Sequence, residues 1–276
     1  MIKDLVVNLT VGGRRDVAGP FAISIAEMFG AHVAGVAFAY EPAIPPTIMG
    51  TIPASLIEGQ RAENDKAAAD AIARFDEAAK RAGVSFQSLT MSASVPGAAD
   101  RFGAMARRFD LAVVGQSDPD ALIADEVIVE GTLFGSGRPV VVVPYIQKSP
   151  VKLDRIMVCW DGSRNAARAI ADAMPLLARA KSIDVVIVAS ERPKSDEIPG
   201  ADIGQHLARH GFKVEVKRIV ATDTDVANTV LSHAADSSAD FIVMGGYGHS
   251  RLREFILGGA TQGILSSMTV PVLMSH

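Results

Sequence analysis

Residues 240–245 read Asp-Phe-Ile-Val-Met-Gly, and residues 110–115 read Asp-Leu-Ala-Val-Val-Gly. Each is an acidic residue, a run of four apolar residues and a closing glycine, the pattern of a short buried strand that ends in a turn. Working outward, IKDLVVNL at 2–9 matches KLDRIMVCW at 152–160. PVVVVP at 139–144 matches PVLM at 271–274, both opening on proline. The landmarks keep their order, and their offsets drift only as loop insertions would make them drift. Self-similarity of this kind predicts two copies of one unit. The boundary falls where Gln147, Lys148, Ser149 and Pro150 interrupt the apolar pattern, dividing the chain into 1–147 and 148–276.

Composition narrows the class. Hydrophobic residues make up 49% of the 276 and aromatics only 5%, so the cores must be built from Val, Ile, Leu, Ala and Met. That is the makeup of parallel strands covered by helices. A net charge of −4 argues against a general nucleic-acid binder, which needs a basic face. The single cysteine, Cys159, sits in the apolar run 156–160 and reads as a buried strand residue; no disulfide can form within the chain. The apolar stretch at the N-terminus is too short for a signal peptide, and no run reaches the roughly 18 residues of a membrane span. A cytoplasmic protein without membrane contact is the expectation.

Within each half, short β-branched runs alternate with helical patterns. Strands are predicted near 154–160, 183–189, 213–220, 240–245 and 271–275, with helices near 163–180, 198–210, 223–236 and 255–268. Ser163 reads as an N-cap, and Ala166, Ile170, Met174 and Leu177 recur on one helical face. The first half predicts strands near 3–9, 32–39, 84–91, 110–115 and 139–144, and a long helix near 56–82 after a Pro-rich insert at 41–53. Strand and helix in alternation mean right-handed crossovers and α/β domains with helices on both faces of a parallel sheet.

Ligands of such sheets bind beyond the carboxyl ends of the strands. Two loops of the second half lie at such ends: Asp161-Gly162-Ser163, and Gly245-Gly246-Tyr247-Gly248-His249-Ser250-Arg251, followed by Gly258-Gly259-Ala260-Thr261. Glycines let backbone N–H groups turn toward a ligand without an obstructing Cβ. The amides at the start of the last helix favour an anion. Ser250 and Thr261 can add hydroxyl donors, and His249, Arg251 and Arg253 positive charge. The spacing is neither a Walker loop nor Gly-x-Gly-x-x-Gly. By spacing alone, glycines that merely make tight turns remain an equal reading.

The stretch 244–275 resembles the C-terminal signature of universal stress proteins, Gly-x2-Gly-x9-Gly-Ser/Thr, with Gly245, Gly248 and Gly258 in register and Val270-Pro271-Val272 matching its close. The resemblance implies two doubly wound, five-stranded parallel sheets in tandem, of order 3-2-1-4-5, packed as an internal pseudo-dimer. It sets Asp161 where the family places the aspartate facing adenine and ribose. The nucleotide-binding set it implies is Asp161, Ser163, Ala189, Gly245, Gly248, His249, Arg251, Gly258, Gly259, Ala260 and Thr261. The ligand it implies is ATP, with Mg2+ as a companion ion and other adenine nucleotides as alternatives. One departure matters: the signature's Ser/Thr is Gly259 here, which removes a neutral hydrogen bond worth about 0.5–1.5 kcal/mol. Thr261 is the nearest replacement.

The first copy lacks this set. Thr10 stands where the second has Asp161, and Gly115-Gln116-Ser117-Asp118 puts an aspartate where the second signature glycine belongs. Asp118, Asp120, Asp125, Glu126 and Glu130 follow without a Lys or Arg, and carboxylates there would oppose a triphosphate. They read as a solvated acidic face rather than a metal site. His206 and His210, at i and i+4, read as a solvated helix face for want of a third ligand.

Three functions are compatible with these residues. One is a regulatory module that senses an adenine nucleotide and signals to a protein partner or a second copy of the chain. The second is a slow ATPase, with His249 or Asp161 orienting water. The third is a hydrophobic-ligand or partner site in the Pro-rich insert 41–57, with Ile44, Ile48, Met49 and Ile52; more often such a loop covers its own domain or a dimer interface.

Overall fold

A computed structural model describes residues 1–12, 15–41, 53–117, 124–189, 200–221, 225–246 and 259–276. They divide into two compact units, Met1–Ser136 and Gly137–His276.

The first unit alternates β1 (Asp4–Asn8), α1 (Ala18–Phe29), β2 (His32–Tyr40), α2 (Ala54–Ala82), β3 (Ser85–Ala93), α3 (Val95–Ala106), β4 (Leu111–Gly115) and α4 (Ala124–Ser136). Its strands run parallel in the order β3-β2-β1-β4. The central strand shows why: Leu5, Val6 and Val7 are all fully buried, a continuous apolar run that only a sheet covered on both faces can hide. Right-handed crossovers place α1 and α2 together on one face and α3 and α4 on the other. The last part of the Pro-rich insert, Ala54–Ile57, is the first turn of α2, with Leu56 exposed; residues 42–52 lie outside the described residues.

The second unit contains β5 (Val140–Val143), β6 (Arg155–Cys159), α5 (Arg164–Leu177), β7 (Ser182–Ala189), α6 (Ala201–Arg209), β8 (Val214–Val220), α7 (Val226–Asp236), β9 (Phe241–Gly245), α8 (Ala260–Ser267) and β10 (Val272–Ser275). Strands β6 to β10 are parallel and follow the expected 3-2-1-4-5 order, β8-β7-β6-β9-β10. The strand at 140–143, read as the fifth of the first copy, pairs antiparallel with β10, Val141 opposite Leu273. Four consecutive valines are buried there. A run so apolar on both faces offers no alternation from which pairing direction can be read.

Caps set the helix starts. Ser163 Oγ accepts from Ala166 N–H at 3.1 Å, as its position predicts, and Asp225 Oδ1 accepts from Asn228 N–H at 2.7 Å. Ala166, Ile170 and Leu177 are buried on the inner face of α5, with Met174 half-buried beside them. Among the described residues no helix is long and apolar enough to cross a membrane.

Candidate functional site

The corner between β6 and α5 holds the first group of candidate residues. Asp161 follows the strand and is exposed. Its Oδ1 accepts from Ser163 N–H at 2.9 Å, closing a turn in which Gly162 takes φ 76°. Only glycine adopts that left-handed conformation without cost. The carboxylate is thus held by its own loop and presented to solvent, while Ser163 caps the helix behind it.

The end of β9 lies against this corner, because β6 and β9 are adjacent, with Val158 opposite Val243. Contact is close enough to dictate the residue at 245. A Cβ built on Gly245 would stand 2.6 Å from Ala166 N and 2.7 Å from the Asn165 carbonyl carbon. The first turn of α5 therefore rests directly on the strand end. Asn165 fastens the two: its Nδ2 donates to Gly246 O at 2.7 Å. His276 closes the group, its Nδ1 lying 3.0 Å from Asn165 Nδ2 and 3.1 Å from Gly246 O. Gly246 N–H in turn donates to Ser275 O at 2.9 Å.

Sequence reasoning named neither Asn165 nor His276 as a site residue. An Asn two residues after an N-cap is a poor helix former, and that is the one local signal it gave.

Of the other expected residues, Ala189 closes β7, the neighbour of β6, and its carbonyl accepts from Ala221 N–H at 3.0 Å. Gly259, Ala260 and Thr261 form the start of α8, which packs on α7. Gly259 precedes that helix without any side-chain cap, so the first-turn amides receive nothing from the residue at that place. Thr261 is buried. Gly248, His249, Arg251 and Gly258 lie outside the described residues. The structure thus brings Asp161, Ser163 and Gly245 to one corner and sets Gly259, Ala260 and Thr261 on a separate helix start.

The equivalent corner of the first unit is built differently. Thr10 follows β1, and Asp16, not predicted as important, turns inward beneath it. Asp16 Oδ1 accepts from Gly19 N–H at 3.2 Å and Thr10 N–H at 3.4 Å. Burial pushes its carboxyl up from the ordinary value, partly opposed by N–H groups of Gly19, Thr10 and Ala18. The protein's own carboxylate therefore occupies amides at the start of α1. Around Gly115 a side chain would meet only ordinary contacts, the nearest atoms to a built Cβ being Thr10 Oγ1 and Val17 Cγ2 at 3.9 Å.

Cys159, the last residue of β6, is chemically quiet. Burial, and secondarily the negative charge of Asp161, push its thiol up to about 12. It stays protonated and a poor nucleophile at neutral pH. Asp125 and Glu126 lie in the first turn of α4, where the helix dipole favours acids. Asp118 and Asp120 lie outside the described residues. The rings of exposed His206 and His210 meet edge to face with centroids 4.9 Å apart. Among the described residues no group of three or more His, Cys, Asp or Glu stands ready for a metal.

Comparison with known proteins gives three findings. Residues 152–276 match the model of the universal stress protein family. A universal stress protein of Synechocystis is 25% identical over 173 residues, which cover 60% of this chain and 57% of that protein; the match thus spans little more than half the relative's length. Two crystal structures share the fold over nearly the whole chain. A universal stress protein from Archaeoglobus fulgidus superposes with TM-score 0.72 at 15% identity, covering 99% of this chain and 95% of that one. A putative universal stress protein from Pseudomonas aeruginosa does so with TM-score 0.64 at 14% identity, covering 99% and 93%.

Proposed function

Because residues 152–276 match the universal stress protein family, we propose that the second copy, residues 148–276, is a regulatory module that binds an adenine nucleotide, ATP foremost. The nucleotide lies beyond the ends of β6 and β9. Asp161 accepts from ribose or adenine there, and the amides of the glycine loop and of the start of α8 receive the phosphates. Gly245, Gly248, His249, Arg251, Gly258, Gly259, Ala260 and Thr261 form the phosphate side of this reading. Ser163 and Ala189 flank the nucleoside.

The observation that carries it is the bond from Asn165 to Gly246. It ties the loop that presents Asp161 to the first residue after the β9 glycine, so the two predicted halves of the cleft share one anchor. Gly259 gives the start of α8 no side-chain cap, and a helix start is where an anion finds N–H donors. In the first copy Asp16 already fills the matching role with the protein's own charge, and one nucleotide per chain follows. Binding acts as a signal only insofar as the nucleotide prefers one of two states of the protein. The partner in that signal is a protein or a second copy of the chain.

Calorimetric titration of the full chain with ATP, ADP, AMP and cyclic AMP tests the reading. One site of micromolar affinity, lost in Asp161→Ala and in Gly248→Asp, is expected. Binding that survives both substitutions overturns it.

A further inference from the structure

On the first unit, a cavity of about 480 Å³ opens between α1 and α2. Its apolar wall is made of Ile23 and Pro20 from α1 and Phe75 and Ala78 from α2. Phe75 is buried and rigidly seated: its ring meets Phe86 edge to face at 6.1 Å, and it occupies the space that a side chain on Gly35 would need. The floor is therefore a fixed surface. Two arginines line the same cavity, Arg15 from the segment before α1 and Arg74 from α2. Both are exposed, and neither has a hydrogen bond or ion pair with another described residue. Asp16, the acid that also lines the cavity, spends its Oδ1 on the amides of Thr10 and Gly19.

We propose that this groove is a second binding site, for a small organic oxyanion that carries an apolar body. Arginine forks match carboxylate and phosphate oxygens in pairs, and the volume lies within the range of small-molecule pockets. A head group held between Arg15 and Arg74 leaves its chain or ring on Phe75, Ile23 and Ala78. The corresponding groove of the second unit, between α5 and α6, has nearly the same volume, about 460 Å³, but is lined by Ile170, Met174, Ile203 and two histidines, without an arginine. The repeat thus supplies its own control, since the same groove without guanidinium groups has no strong hold on an oxyanion at pH 8.

The site is independent of the nucleotide reading and is tested apart from it. Calorimetry at pH 8 and low salt uses three probes on the full chain: decanoate, hexyl phosphate and inorganic phosphate. Decanoate or hexyl phosphate binds once per chain below millimolar concentration. Each of Arg15→Ala and Arg74→Ala weakens it about tenfold, as loss of one charge-assisted pair does. Saturating ATP and Asp161→Ala leave it unchanged. The preferred head group then distinguishes a carboxylate from a phosphate ligand. Both arginines are exposed, so an unchanged thermal melt certifies each variant. No heat at millimolar probe, binding that survives the double substitution, inorganic phosphate matching hexyl phosphate, or loss on Asp161→Ala each overturns the site.

Discussion

Gly245 and Gly115 end the same strand in the two copies, yet they do different jobs. At Gly245 a Cβ has nowhere to go, because the first turn of α5 sits 2.6 Å from where it would be. At Gly115 the nearest atoms are 3.9 Å away, at ordinary contact distance. Asn165 bridges to the backbone after Gly245, whereas the side chains facing Gly115 are Thr10 and Val17, both at 3.9 Å. The second copy has drawn a helix start tightly onto a strand end and left Asp161 in solvent. The first has relaxed that contact and turned an acid, Asp16, inward. Repeats preserve a fold through their buried strands, while the strand ends are free to diverge, because loops there carry little of the core.

The comparison can be broken most forcefully at the glycines. Gly245→Ala should destabilise the second unit by about 2–3 kcal/mol through overpacking, read as a lower urea midpoint. Gly115→Ala should stay within about 0.5 kcal/mol. Equal losses would erase the distinction. A smaller effect comes from Asn165→Ala, which removes one hydrogen bond worth about 1 kcal/mol. ATP affinity should fall about fivefold with it, as that energy converts, and calorimetry reads the change. The smallest effect sharpens the first corner. Asp16 has its folded-state value raised above the ordinary 3.8, with burial the largest cause. The stability it contributes is thus complete below its unfolded value and lost as pH rises through the raised folded value. Asp16→Asn keeps an acceptor for Gly19 and should flatten the stability profile above pH 3.8, leaving low-pH stability nearly unchanged and raising stability at neutral pH. An identical slope in both proteins would show that Asp16 does not titrate there.

Much of this was legible in the chain itself. The apolar runs of β1, β6 and β9 and the cap of α5 follow from local pattern: Ser163 stands three residues before the amide it caps, and Ala166, Ile170 and Leu177 repeat at helical spacing. The antiparallel pairing of β5 with β10 was not legible, since four valines look alike from either side and the choice of β10 as partner is made far along the chain. Asn165 and His276 were missed for a related reason. Their roles exist only once β9 has been laid beside β6, and no spacing in sequence encodes that meeting. Asp16 gave a fainter local sign: it precedes Gly19 by three residues, the interval of a capping acid.

The antiparallel seat of β5 on β10 bears on anyone who would cut this protein at its repeat. A fragment starting at 148 discards the strand that shields Val272, Leu273 and Met274 along the sheet margin. Such a bared rim invites another molecule to add its own strand, so self-association of that fragment would report a surgical wound rather than a native assembly. Starting at Gly137 keeps the covering strand in place.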